Sequence, residues 1–362
     1  MDRRGTGQSA HLACSGSSTP PYVEPEAVPK CAQELQEKYG DLSAFSTTSA
    51  ATDLVTFISD YGNDFSTIVY GIGYGTIWVE RAVNLDPAEV TGYVLDGVST
   101  MCANPDLSVN VSLTDTTFSE VGDGFIAMCA HDSLCGPHFK KRRLEATIQH
   151  LFTTFDKDSS SKCASLFKTV QTGQSEDPPS FVLRYVLGLL LSDSSLRTLL
   201  PPVVHRLARC SANDVEVLTN LVGKLGTRSD SASLASFLLD NLIIFSEMWE
   251  SLTPSTSVLK TRFEEASMNT GKEKSATCEQ LKLGGYRGND IVYERDDKDA
   301  TIPDQASVLV LSSKLNPLAP HKDAEGLLEA MVGDNKELIT FEYTTGSNLM
   351  DSSTLEPAVC RF

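Results

Sequence analysis

The chain is short of positive charge: 30 Lys and Arg stand against 48 Asp and Glu, a net charge of −18. That balance argues against a nucleic-acid partner, because phosphate binding needs clustered cations. Long hydrophobic runs are also missing. The longest, FVLRYVLGLLL from Phe181 to Leu191, is broken by Arg184 and falls well short of the roughly 20 residues that span a bilayer. The opening MDRRGTGQS contains no apolar core of the kind a secretory signal carries. No two cysteines have C-x-x-C spacing, which speaks against a zinc site, and no metal is expected.

What is present is a globular composition, 41% hydrophobic and 22% charged over 362 residues, enough for a large core and an insertion. Nine cysteines, at positions 14, 31, 102, 129, 135, 163, 210, 278 and 360, are many for a reducing compartment. Disulfides are the better reading, with at least one cysteine left over. Pairing Cys129 with Cys135 and Cys14 with Cys31 would close short loops, although spacing does not fix connectivity. The cysteines point to an oxidising compartment while the N-terminus offers no signal, so localisation stays open. Asn110 opens an N-V-S glycosylation sequon, a tripeptide that also arises by chance.

Between Ala50 and Val98 the pattern is helix, strand, glycine corner, helix, strand: ATDLVTFISDYG, STIVYG, TIWVERAVNL, GYVLDGV. That is βαβ grammar, which predicts two parallel neighbouring strands. From about residue 124 to 267 only helical periodicity remains, as in LEATIQHLFTTF and DVEVLTNLVGKL. The βαβ pattern resumes with ASVLVLSS, HKDAEGLLEAMV and ELITFEY. The predicted class is α/β, with a sheet built from both ends of the chain and a helical insertion between them.

The glycine corner, TIVYGIGYGTIW from Thr67 to Trp78, admits two chemistries. As a dinucleotide loop, G-x-G-x-x-G needs a small third residue where Thr76 stands; Gly71, Gly73 and a ribose-binding Asp96 would then make an NAD-type oxidoreductase. As a nucleophile elbow, G-x-S-x-G would lift a serine above the sheet, and the serine position is Gly73.

MDRRGTGQSAHLAC, the stretch from Asp53 to Val98, and QASVLVLSSKLNPLAPHKDAEGLLEAM together resemble the prolyl and tripeptidyl aminopeptidase family of α/β-hydrolase serine peptidases. The resemblance is close over the two core segments and loose over the cap. It implies an α/β-hydrolase fold with an incomplete, mostly parallel sheet: residues 1–120 as the first part of the core with the elbow at 71–75, 121–295 as a helical cap, and 296–362 completing the core. It also places the triad on Gly73, Asn316 and Gly346, so all three positions are substituted, and no histidine follows His321. Tyr74 would supply a backbone N–H to the oxyanion hole. His321 begins the helix after the acid turn, on the wrong loop to meet the elbow, and is read as a solvated helix-start residue. His131, His138, His150 and His205 fall in the cap and His11 near the start, surface or satisfied residues by default.

Relatives of this kind recognise a substrate's free amine with cap carboxylates, for which Glu247 and Glu250 beside Trp249 are the candidates; the plainer reading is a solvated helix end. In the family, further strands and a glycine-rich loop precede the D-x-R-G segment, whereas here Met1 stands directly before Asp2. The elbow strand is therefore expected at an open sheet edge. Asp2 and Arg4 are read as structural residues of the turn. The leading expectation is a non-catalytic homologue that binds a peptide or protein ligand between core and cap, without a cofactor. The rivals are an active serine exopeptidase releasing N-terminal residues or tripeptides, the NAD-type enzyme, and a decayed copy without function.

Overall fold

A computed structural model describes residues 2–17, 23–62, 66–100, 110–169, 178–226, 236–269, 283–296 and 299–346. Cys102, Cys278 and Cys360 lie outside them. After helix α1 (Val28–Tyr39), helix α2 (Thr47–Tyr61) leads into the first core unit: strand β1 (Thr67–Gly73), helix α3 (Tyr74–Asn84) and strand β2 (Val90–Val98). The second unit is strand β3 (Ser307–Ser313), helix α11 (His321–Ala330) and strand β4 (Lys336–Phe341). All pairings are parallel in the order β1-β2-β3-β4, and β2 joins β3 through Gly92 with Ser307 to Asp96 with Leu311. The apolar strands explain this. β2 and β3 are buried on both faces, as parallel strands between helices must be. The expected α/β class, with a parallel sheet drawn from both ends of the chain, is what the topology gives. A strand-to-helix corner after β1 and a long run of inserted helices between β2 and β3 complete an α/β arrangement with a short parallel sheet.

The inserted helices are α4 (Thr114–Met128), α5 (Leu144–Lys157), α6 (Pro179–Ser192), α7 (Leu200–Arg209), α8 (Ala212–Gly226), α9 (Phe237–Glu247) and α10 (Thr256–Glu265). They do not share one core. Residues between Phe118 and Leu225, joined by Met268, form the cap core. Residues of α9 and the segment to Ile291 instead pack with Leu12, Val28, Leu35 and Phe45. The N-terminal segment thus acts as a second layer over α9, and a third cluster surrounds the sheet.

Disulfides join Cys14 to Cys31, Cys129 to Cys135 and Cys163 to Cys210. The first two are the short-loop pairings considered above. The third clips the turn after α5 to the end of α7, where Cys210 has φ 47°. Within the cap, Arg184 is buried across the Phe152 ring at 3.9 Å and donates to the carbonyls of Ala266 (2.8 Å) and Glu264 (2.9 Å). Burial lowers its pKa, and those carbonyls meet its protons. Asn110 opens a packed turn: the Val111 N–H donates to Met248 O at 2.8 Å and Ser112 is fully buried.

Among the described residues, β1 pairs with β2 alone. β1 carries Ile68 (67% exposed) and Ile72 (40%). Such an edge templates pairing with another strand. Ile68→Lys is expected to reduce concentration-dependent self-association in sedimentation analysis; a parent chain that stays monomeric at its solubility limit contradicts this. By loop-closure entropy, opening Cys163–Cys210, which spans 47 residues, is expected to remove about 4 kcal/mol of stability, against about 2 kcal/mol for Cys129–Cys135 with its separation of 6. Denaturant titration of paired Cys→Ala variants measures both.

Candidate functional site at the carboxyl edge of the sheet

β1 passes directly into α3, and Gly73 turns the chain with φ 54° and ψ −121°. Glycine enters this region without the clash a Cβ makes. Gly71 is needed for a different reason. A Cβ there would lie 2.7 Å from Val79 Cγ2 and closer still to the Gly75 carbonyl oxygen, so its absence lets α3 settle on the strand. Gly73 and Gly75 face open space, with nothing within 4 Å of a Cβ at either. Thr76 locks the corner: its Oγ1 lies 2.6 Å from Gly73 O and 2.8 Å from Ser99 O, and it accepts the Ser99 N–H at 2.9 Å. The position that the dinucleotide reading needed small is thus a buried hydroxyl clamp.

The three positions that the resemblance assigns to a triad, Gly73, Asn316 and Gly346, lie at the carboxyl ends of the strands, where ligands of parallel sheets bind. Gly73 pairs with Val98 at the end of β2. A Cβ on neighbouring Gly97 would lie 3.4 Å from Asn316 Nδ2, which places Asn316 at the same edge. The Ser313 hydroxyl donates to Thr344 O at 2.6 Å, which holds the loop bearing Gly346 to the end of β3. Asn316 is buried, and its Oδ1 accepts the N–H groups of Leu318 (3.1 Å) and Ala319 (3.2 Å). Its carbonyl is thereby used in shaping its own turn. A Cβ at Gly346 meets nothing within 4 Å.

Asp96 lies inside the sheet. It is fully buried, between Ile72 and Leu311 in register, and accepts from the Tyr70 hydroxyl at 2.8 Å. It is no rim carboxylate for a ribose.

Tyr74 turns its ring away from the edge, toward the N-terminal layer. Its hydroxyl meets Thr47 Oγ1 at 2.8 Å and accepts from Arg3, whose other nitrogen donates to Phe45 O at 2.8 Å. Burial raises this phenol to about 12. Asp2 and Arg4 serve the turn, as expected: Asp2 accepts the Gln8 N–H at 2.8 Å, and Arg4 pairs with Asp53 and Ala44 O.

Glu247 and Glu250 have separate roles. Glu250 is bound to Arg262 at 2.8 Å and to Ser112 Oγ at 2.5 Å, which lower its pKa against the effect of burial. Glu247 is 4% exposed and uses Oε1 to accept the Thr47 N–H at 2.9 Å and the Tyr293 hydroxyl. Burial and this carboxylate push the Tyr293 phenol far up. Glu247 borders a cavity of about 240 Å³ with Thr48, Arg81, Tyr293, Glu294 and Asp296. Nothing local in the sequence marks Thr47 or Tyr293 as its partners. Among the described residues no cluster of His, Cys, Asp and Glu has the geometry to hold a metal.

His321 is packed rather than solvated. Its Nδ1 lies 3.2 Å from Ser312 Oγ and its Nε2 3.6 Å from Glu325. Serine, histidine and acid follow one another here, but Ser312 is fully buried within β3, out of reach of a scissile carbonyl.

No protein-family model matches the chain, and no curated protein matches it. Among solved structures, it is similar to MGS-M2, an α/β-hydrolase enzyme from a Medee basin deep-sea metagenome library, at 11% identity and a TM-score of 0.28, over 86% of this chain and 70% of that one.

Two substitutions separate the roles of the corner glycines. Gly71→Ala is expected to cost roughly 1–3 kcal/mol by overpacking against α3. Gly73→Ser, which meets open space, should cost only about 1–2 kcal/mol for its positive φ. Thermal unfolding of both variants measures the losses; a smaller loss for Gly71→Ala than for Gly73→Ser contradicts the packing assignment.

Proposed function

We propose that this chain is a non-catalytic relative of α/β-hydrolase serine exopeptidases which binds peptide amino termini between core and cap. One observation carries the reading: the elbow has its backbone turn and its open space, and the residue at its tip is Gly73, which has no atom to attack a carbonyl. The other two positions support it. Asn316 cannot carry the charge that steadies an imidazolium, and Gly346 offers no imidazole.

The binding half rests on Glu247, a buried carboxylate beside a small polar cavity with Glu294 and Asp296 on its wall. Three carboxylates against one guanidinium, Arg81, leave the cavity a negative surplus that favours a cation, and an N-terminal ammonium is the cation a peptide brings. Glu250, committed to Arg262, is left out of this role.

Labelling with a fluorophosphonate tests the catalytic half. No adduct is expected on the parent chain, and Gly73→Ser alone should stay near background with an activated ester, because triad members act as a unit. An adduct on Ser312 or any other serine, with turnover, overturns the reading in favour of an active hydrolase. Calorimetry with a tripeptide and its N-acetylated form tests the binding half. Acetylation is expected to abolish binding, and Asp296→Asn to weaken it about threefold to tenfold. Equal binding of the two peptides refutes the amine assignment.

A further inference from the structure

One motif takes no part in the candidate site: Asn110-Val111-Ser112. It is the only N-x-S/T tripeptide in the 362 residues, and its middle residue is not proline, so it meets the sequence requirement for N-linked glycosylation. Such a motif is used only where the chain meets the transferase, in an oxidising secretory lumen. Among the described residues six cysteines stand in three pairs, Cys14–Cys31, Cys129–Cys135 and Cys163–Cys210. Disulfides form and persist in the same kind of compartment. The motif and the pairing are separate observations, and they agree.

Position in the fold adds a third. Asn110 is partly exposed, with extended backbone (φ −117°, ψ 121°), on the connection from β2 to α4, where the sheet gives way to the inserted helices. The two residues after it are shut in. The Val111 N–H donates to Met248 O at 2.8 Å, and the Arg262 guanidinium donates to Ser112 O at 3.1 Å. The Ser112 hydroxyl is fully buried and donates to Glu250 at 2.5 Å. Glycosyl transfer reads the tripeptide through that hydroxyl, which the folded chain has committed elsewhere.

Chain order resolves the conflict. Glu250 lies 138 residues beyond Ser112, and Arg262 lies 150 residues beyond it. At roughly 5–20 residues per second of synthesis, the motif exists for on the order of 10 s before the groups that close it have been made. Ser112 is therefore free while the chain grows and occupied once the chain has folded.

We propose that Asn110 is an N-glycosylation site, modified on the growing chain before the segment around Glu250 closes over Ser112. The donor is a lipid-pyrophosphate-linked oligosaccharide. A bond forms between its anomeric carbon and Asn110 Nδ2, and the bond from that carbon to the pyrophosphate oxygen breaks. The amide gives up one proton, and the lipid pyrophosphate leaves. The glycan then stands where the chain passes from sheet to cap. This site does not depend on the peptide-binding reading, and neither fails with the other.

The test is expression of the whole chain behind a cleavable leader in a eukaryotic secretory host. Occupancy is read on the total denatured product, so the folding of a variant does not enter the result. The parent is expected to carry one glycan, removed by peptide-N-glycosidase F, which marks Asn110 by deamidation. Asn110→Gln and Ser112→Ala should each abolish the shift. Glu250→Ala is expected to leave occupancy unchanged, because that carboxylate arrives after transfer. A parent chain without glycosidase-sensitive mass overturns the site, as does a shift that survives Asn110→Gln. A several-fold rise in occupancy with Glu250→Ala overturns the order of events, since closure would then compete with transfer.

Discussion

The contact between Gly71 and the first turn of α3 sets the position of everything at the carboxyl edge. A methyl group at Gly71 would push α3 away from β1 at Gly75 and Val79. Thr76 would then lose its hold on Gly73 O and Ser99, and the ends of β1 and β2 would no longer meet. Burying the hydroxyl is tolerable because all of its hydrogen-bonding capacity is used within the corner. The elbow therefore rests on a missing side chain and a saturated hydroxyl, and neither depends on what stands at Gly73. The turn keeps its shape whatever side chain position 73 carries, within the limits of its positive φ.

The alternation of helix, strand and glycine corner was legible because it is local: a period of two gives way to one of 3.6 at Gly71–Gly75, and the apolar runs of β2 and β3 mark strands covered on both faces. Gly73, Asn316 and Gly346, singled out only through the resemblance, lie at one edge of the sheet. Partners at long sequence separation were not legible. Glu250, in the loop after α9, pairs with Arg262 of α10, and Glu247 is held by Thr47 from 200 residues away in sequence. Strand position likewise does not tell whether Asp96 faces solvent; β2 lies in the middle of the sheet, with β1 and β3 on either side, and Asp96 is fully buried. Cys163–Cys210 needed the folded cap before its two ends could be matched.

Division of the chain by sequence order also misses how its cores are shared. α9 is contiguous with the cap helices, yet its apolar face meets Leu12, Val28 and Leu35. Its hydrophobic residues are spread around most of its circumference, so no single stripe announces the partner. The polar cluster of Arg3, Thr47, Tyr74, Glu247 and Tyr293 lies where this layer meets the elbow. Tyr74 joins Arg3 to Thr47, and the Thr47 N–H and the Tyr293 hydroxyl both donate to Glu247, so the buried carboxylate is met by two donors.

The pairing of β2 with β3 has a kinetic side. Every hydrogen bond between Gly92–Asp96 and Ser307–Leu311 closes a loop that contains the entire cap. Loop closure costs entropy that grows with the length of free chain, so an unfolded insertion would oppose that pairing. A cap that has already condensed on its own apolar centre, with Cys163 and Cys210 joined, shortens the free contour to a few connecting segments. On a nascent chain the first βαβ unit must then wait, unpaired on both flanks, until the inserted helices have collapsed and β3 has been made. Topology places the last step of folding at the centre of the sheet, and the delay falls on the strands that hold the elbow.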